Sequence, residues 1–368
     1  MPLMSLFSQR TYTLTEEQRR MYASEKLFNF RWISKVVATR SPYTLTEADL
    51  VPQNIYQELA ELGQFAELAY SAVSIEFLLR NFDTLSRPGF PLEGYNALSD
   101  VVLVDAFRGG RAELPVYIVY RPNTKQLIVS IAGTSSAKHI LHDLNALKSR
   151  HPSGEGGVHR GFYELFKDIL SPALEGIQRG IATHSPQEVV LTGHSMGGSV
   201  AYLLCAELLT EKTQLLSPEQ KLQIAVFGSP RVGDAKFVNY FRGLVASFRK
   251  RRGDKTFHEY STKAYNDGVP ALPPMRFGYR HFCQEPLYTV GGKLYKVPSS
   301  ESEHALFHVQ MSNDHESSHV VFPRGGHNYY NGRDLERFAR RILWLDKANP
   351  TEKGWESRYE SISRRKDP

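Results

Sequence analysis

Ser195 stands in Gly193-His194-Ser195-Met196-Gly197, directly behind the apolar run Glu188-Val189-Val190-Leu191-Thr192 and directly ahead of Ser199-Val200-Ala201-Tyr202-Leu203-Leu204. The order reads as strand, sharp turn, helix, which is the context a G-x-S-x-G nucleophile requires. A serine at the tip of so tight a turn takes strained backbone angles, and the two glycines remove side chains that would strike the neighbouring strand and helix. The same geometry puts the Met196 N–H at a helix N-terminus, where an unpaired donor and the helix dipole can hold a developing oxyanion.

A serine hydroxyl is a poor nucleophile at neutral pH until a histidine takes its proton, and that histidine needs a carboxylate to fix its tautomer. Downstream of Ser195, two aspartates follow strand-like runs: Asp234 in Gly228-Ser229-Pro230-Arg231-Val232-Gly233-Asp234 and Asp267 in Tyr265-Asn266-Asp267-Gly268-Val269-Pro270. Asp267 is the expected acid, because it lies just past run 257–262, at the sheet edge where open α/β folds bind ligands. Asp234 reads instead as the N-cap of a helix over 234–248. Of the downstream histidines, His258, His281, His304, His308, His315, His319 and His327, the last sits in a glycine-hinged loop before the final long helix, where the order Ser, Asp, His places the base. The pairs His304/His308 and His315/His319 have H-x3-H spacing, but neither brings the glutamate of H-E-x-x-H or a close third ligand, so no metal is expected. The chemistry read here needs no cofactor.

The second oxyanion donor should come from a strand-end loop early in the sheet. Leu127 to Thr134 fits, with Thr134 N–H aimed at the same place as Met196 N–H. Behind it, Ile140, Leu141, Leu144 and Leu147 recur at helical spacing, so residues 135–147 are expected either to form a lid with an apolar inner face or to pack as an ordinary surface helix.

The elements that must position these groups follow from the apolar pattern. Short β-rich runs at 101–104, 116–120, 126–132, 188–193, 222–227 and 257–262 alternate with helical segments near 161–180, 196–211, 234–248 and 334–346. That alternation calls for a mostly parallel sheet covered by helices on both faces, with the first three strands free to be antiparallel neighbours. Residues 1–54 read as a helical extension, with helix starts at Thr15-Glu16-Glu17-Gln18 and Thr46-Glu47-Ala48-Asp49 and a further helix over about 53–72. Residues 55–350 form the main domain, within which 283–330 reads as loop, and 351–368 is expected to be a polar, mobile tail.

The 368 residues carry a net charge of +6, but acids and bases are mixed and the one dense basic run is Arg249-Lys250-Arg251-Arg252. A solvated loop is the expectation there, and a nucleic-acid binder is not. Cys205 and Cys283 are the only cysteines, and the first twenty residues hold no apolar signal-like run, which together predict a cytoplasmic protein. No uninterrupted apolar run approaches the ~18 residues of a spanning helix, so contact with lipid surfaces is expected to be peripheral.

Seven ordered segments together resemble the fungal class 3 lipase family, the triacylglycerol-lipase-type α/β-hydrolases. They are Ile131-Ala132-Gly133-Thr134-Ser135, Asp143-Leu144, Val158-His159-Arg160-Gly161-Phe162, Gly193 to Gly198, Gly228 to Gly233, Asn266 to Pro274, and Gly326-His327-Asn328-Tyr329-Tyr330, within about residues 55–345. The resemblance implies an α/β-hydrolase fold, a triad of Ser195, Asp267 and His327, an oxyanion hole of Thr134 and Met196, and hydrolysis of lipid acyl esters through an acyl-enzyme. Feruloyl or other short acyl esters are the alternative substrates. A non-catalytic lipase-like scaffold is the alternative of another class. Two departures stand out: Ala132 where the family usually has arginine, and His139-Ile140 where it commonly has Asp-Trp.

Overall fold

The strands of the central sheet lie in chain order, each beside its predecessor. The computed structural model describes residues 14–25, 29–110, 112–133, 147–210, 215–310 and 322–366. Its eight-stranded sheet consists of β1 (Val102–Gly109), β2 (Leu114–Arg121), β3 (Gln126–Ile131), β4 (Glu188–His194), β5 (Lys221–Phe227), β6 (Phe257–Ala264), β7 (Leu287–Val290) and β8 (Lys293–Lys296). Strands β3 to β7 run parallel, while β1, β2 and β8 pair antiparallel at the two margins. The parallel centre is buried on both sides, and β3 to β5 accordingly read as nearly unbroken apolar runs.

The helices that matter here are α1 (Glu16–Ala23), α2 (Arg31–Val37), α3 (Gln53–Leu68), α4 (Arg160–His184), α5 (Met196–Leu209), α6 (Ala235–Arg252), α7 (Leu335–Lys347) and α8 (Trp355–Lys366). Strand parity shows which face each covers, because successive residues of a strand point to opposite sides. Tyr117 and Ser130 both donate to Phe65 O on α3, whereas Ile118 and Leu127 meet Gly176 and Gly180 of α4. Helices α3 and α4 therefore cover opposite faces. Helix α5 packs beside α4 and is buried almost all round, as a helix without a polar face must be.

Both expected N-terminal helix starts form capping boxes, at Thr15 and at Thr46. Three expectations are corrected. The extension is not wholly helical: Arg40–Leu45 is a strand that pairs in parallel with Leu306–Val309. The segment read as loop, 283–330, supplies that partner and the β7–β8 hairpin; each piece is four residues long, too short for periodicity to separate it from loop. The tail is not mobile polar chain up to residue 366, since it carries α8, whose Trp355 and Tyr359 are buried in the main core. Its two aromatics, four residues apart on one helix face, dock it together with Ile362 and the bonds of Arg358 to Ala348 O and Asn349 O.

Candidate active site

Strand β4 ends at His194 and α5 begins at Met196, so Ser195 alone makes the turn, with φ 58° and ψ −132°. Such angles are costly for a residue with a side chain and persist only where the surroundings enforce them. Here Ser195 N donates to Phe227 O at the end of β5 (2.8 Å) and Gly198 N returns to Ser195 O (3.0 Å). The flanking glycines are sterically obligatory: a Cβ at Gly197 would lie 2.1 Å from Ile131 O, and one at Gly193 would lie 2.5 Å from Gly197 C. Met196 opens α5, where the first N–H groups lack helical partners.

Asp267 follows β6 and His327 precedes α7, sixty residues later. His327 Nδ1 donates to Asp267 Oδ2 at 2.8 Å, both side chains being fully or nearly buried. The same carboxylate accepts Val269 N–H on Oδ1 (2.9 Å) and Tyr330 O–H on Oδ2 (2.5 Å). Three donors from three directions leave it one orientation. With Nδ1 committed, the other ring nitrogen, Nε2 of His327, is buried without a partner, and so is Ser195 Oγ. The two catalytic-type side chains flank Gly228: Ser195 N is bonded to the residue before it, and a Cβ at Gly228 would sit 2.9 Å from the His327 ring and 3.0 Å from Asp267. No Ser–His hydrogen bond is formed, and in free hydrolases that contact often tightens only with substrate.

The loop carrying Asp267 is held through its carbonyls, because its two prolines among residues 270–273 have no N–H to offer. Arg231 Nη1 donates to Ala271 O and Pro273 O, Arg231 N to Leu272 O, and His281 Nε2 to Pro270 O. His281 is thus structural, and burial keeps its imidazole well below its ordinary pKa.

Three positioning groups escaped the sequence reading. Tyr330 sits in the quoted Gly326 to Tyr330 segment, three residues after the histidine, yet nothing in the residue type alone says that its hydroxyl reaches Asp267. His194, inside the elbow itself, has Nε2 on His327 O (2.8 Å), so Nε2 carries the proton and Nδ1 accepts from Tyr70 O–H (2.8 Å). Burial first, and the neighbouring His327 second, push His194 well below its ordinary pKa, which agrees with a neutral ring. The Tyr70 hydroxyl also lies close against Gly133, where a Cβ would come within 2.0 Å of it. Hydrogen bonds therefore join Tyr70, the elbow and the histidine loop, with Tyr70 packed against the loop before Thr134. Tyr70 lies more than sixty residues from any of them in sequence, and no local signal marks it.

The remaining candidates fall elsewhere. Asp234 caps α6 by accepting Phe237 N–H (3.0 Å), and it also accepts Gly157 N–H (2.9 Å). Thr134 and most of the expected lid, residues 135–146, lie outside the described residues, as do His315 and His319; Leu147, the last residue of that stretch, is exposed. His304 Nδ1 bonds Thr39 Oγ1, and His308 is exposed. Among the described residues no group of three metal-ligating side chains occurs, and no helix is long and apolar enough to cross a membrane. The basic run is the last turn of α6 and not a loop; Arg249 is spent on Phe257 O and Arg252 on Ser217 O and Leu216 O.

Comparison with known proteins places this geometry. The model of the class 3 lipases matches residues 128–277. A lipase of Rhizomucor miehei is 30% identical over 177 residues, covering 48% of this chain and 42% of the relative. The secreted mono- and diacylglycerol lipase 1 of Fusarium solani is 27% identical over 196 residues, 53% of each chain. The chain spans about half the length of the curated relatives it matches. Among solved structures, the lipase from Rhizopus microsporus var. chinensis aligns with a TM-score of 0.57 at 20% identity, over 78% of this chain and 91% of that one. The Rhizomucor miehei lipase propeptide complex aligns with a TM-score of 0.59 at 18% identity, over 85% and 95%. The shared architecture is the α/β-hydrolase fold.

Proposed function

We propose that this protein, whose residues 128–277 match the class 3 lipase model, is a serine hydrolase of lipid carboxylic esters. The observation that carries the reading is the pairing of a buried Asp267–His327 hydrogen bond with two orphaned atoms beside it, His327 Nε2 and Ser195 Oγ on its strained turn. A buried polar atom left without a partner is costly. A substrate carbonyl and its transferred proton would satisfy both.

In this mechanism Ser195 Oγ attacks the ester carbonyl while its proton passes to His327 Nε2. Asp267 holds the ring in the tautomer that presents Nε2 as acceptor and stabilises the imidazolium that results. Met196 N–H and Thr134 N–H receive the oxyanion, each such donor being worth ~10²–10³ in rate. The proton then goes to the departing alcohol, and water clears the acyl-enzyme by the same path. Acylglycerols are the substrate class, supported by the similarity to the mono- and diacylglycerol lipase of Fusarium solani. Peripheral contact with lipid surfaces is part of the same proposal. An intracellular setting is also proposed, on the two buried free thiols of Cys205 and Cys283.

The test is hydrolysis of p-nitrophenyl esters of increasing chain length, with fluorophosphonate labelling, by wild type and Ser195→Ala. The variant is expected to lose labelling and to retain only the residual catalysis of the oxyanion hole, a drop of about 10³-fold or more. Labelling that persists in Ser195→Ala would assign the nucleophile to another serine. A preference for the shortest esters throughout the series would favour the short-acyl reading.

A further inference from the structure

The loops that bear His327 and Asp267 are both gripped by a segment three hundred residues upstream of the histidine. His327 N itself donates to Asn29 O at 2.8 Å, and Arg31 Nη1 donates to Gly325 O at 3.0 Å. Tyr22 O–H accepts Arg324 N–H at 3.0 Å. Glu25 ties the segment together: it accepts from Asn29 Nδ2 (2.7 Å), pairs with Arg31 (2.8 Å) and receives the Tyr329 hydroxyl. On the acid side, Phe30 and Ile33 form one buried cluster with Val269 and Leu272. The Phe30 ring then stands edge-on to the His327 imidazole, with centroids 5.3 Å apart and planes at 89°.

The catalytic loops are shaped to receive this segment. Gly326, at φ +118°, lies where a Cβ would come within 2.7 Å of Asn29 Oδ1, and a Cβ at Gly268 would come within 2.5 Å of Ser34 N. His327 follows two glycines with positive φ, 58° at Gly325 and 118° at Gly326, so its backbone has hinge freedom unless something outside the loop restrains it. Two contacts supply that restraint: its own N–H is bonded to Asn29 O, and one edge of its ring is closed by Phe30.

From these contacts, and resting on the hydrolase reading above, we infer that residues 22–25 and 29–34 are a working part of the active site, with Phe30 a positioning residue for His327. Nδ1 on Asp267 fixes the ring about one axis only. Phe30 closes the space into which the ring would tilt, keeping Nε2 on the line to Ser195 Oγ while the proton is taken and returned. A displacement of about 1 Å at such a base costs up to ~10²-fold.

The experiment uses the full chain and p-nitrophenyl butyrate below its solubility limit, so that no lipid surface enters. Phe30→Ala is expected to lower kcat by roughly tenfold or more with KM little changed. Its inactivation by a fluorophosphonate should slow in parallel, and Phe30→Leu should restore most of both. Val36→Ala, exposed on the same helix but outside that segment, is the control expected to behave as wild type. Should Phe30→Ala melt below the assay temperature, Arg31→Met, which removes the bond to Gly325 O, is expected to show the same loss of kcat. An unchanged kcat in both variants overturns the inference. So does a raised kcat, which would make the segment a cover that must leave, and so does a change confined to KM, which would make Phe30 a wall of the substrate site. Wild-type protein that neither hydrolyses the ester nor labels at Ser195 would sink the parent reading instead, and this one with it.

Discussion

At the scale of single residues, the two aspartates that follow strand-like runs differ in what each one accepts, as their sequence contexts predict. Asp267 takes a histidine, a tyrosine and a backbone N–H, while Asp234 takes two backbone N–H groups at a helix start. Asp267→Asn is therefore expected to lower kcat by about 10⁴-fold through the wrong imidazole tautomer, whereas Asp234→Asn should cost ~1 kcal/mol or less of stability and leave kcat alone. Circular dichroism melts and ester kinetics on both variants would separate them; an inactive, folded Asp234→Asn would reverse the assignment. Tyr330→Phe keeps the ring and deletes one bond to the carboxylate. A hydrogen bond to a charged group is worth ~1.5–3 kcal/mol, so kcat should fall roughly tenfold or more. Wild-type kcat in that variant would mean that the hydroxyl only fills space.

At the scale of elements, the C-terminal helix shows how little local signal tertiary docking needs. Helix α8 is polar along most of its length, yet Trp355 meets Phe77 and Phe90 edge-on, at centroid distances of 5.5 and 6.4 Å. Tyr359 stacks on Phe90 at 4.8 Å and donates to Gly89 O at 2.9 Å. Trp355→Ala is expected to cost about 3 kcal/mol in urea unfolding, with kcat of the folded protein unchanged, because α8 touches neither catalytic loop in any contact described. A loss below about 1 kcal/mol would mean that the helix does not hold this position in solution. The strand at Arg40–Leu45 makes the same point from the other end of the chain. Its pairing with Leu306–Val309 brings the extension alongside the sheet, and α2, just before it, lies against the acid loop.

At the scale of the whole molecule, burial sets a pH dependence that no single element explains. Glu259 on β6 accepts Tyr202 O–H (3.0 Å) across the sheet-to-helix layer, and burial pushes its carboxyl up to about 7. The unfolded chain loses this proton near ~4.3. Between about pH 4.5 and 7 the folded state thus binds a proton that the unfolded state has released, so this group lowers stability as pH rises, with its full cost above 7. Glu259→Gln keeps an acceptor for Tyr202 and removes the charge; its Tm should exceed that of wild type at pH 8 and converge with it at pH 4. Equal Tm values at pH 8 would show that the charge is solvated or paired in the folded protein. By itself, the sequence determined the parts that depend on short range: the elbow, the six strands from 101 to 262, the helices between them, the cap at Asp234, and the expectation that Asp267 pairs with His327. Each is written in contiguous patterns, alternation, glycine spacing or a capping residue, that act over a few residues. Only the tertiary structure decided that His194 and Phe30 flank the histidine while Tyr70 backs His194 and Tyr330 holds Asp267, that the strands Leu287–Val290 and Lys293–Lys296 extend the sheet, and that the tail docks. Those outcomes rest on contacts between groups tens to hundreds of residues apart, where the energy comes from complementary surfaces meeting in space and leaves no period or motif in either segment alone.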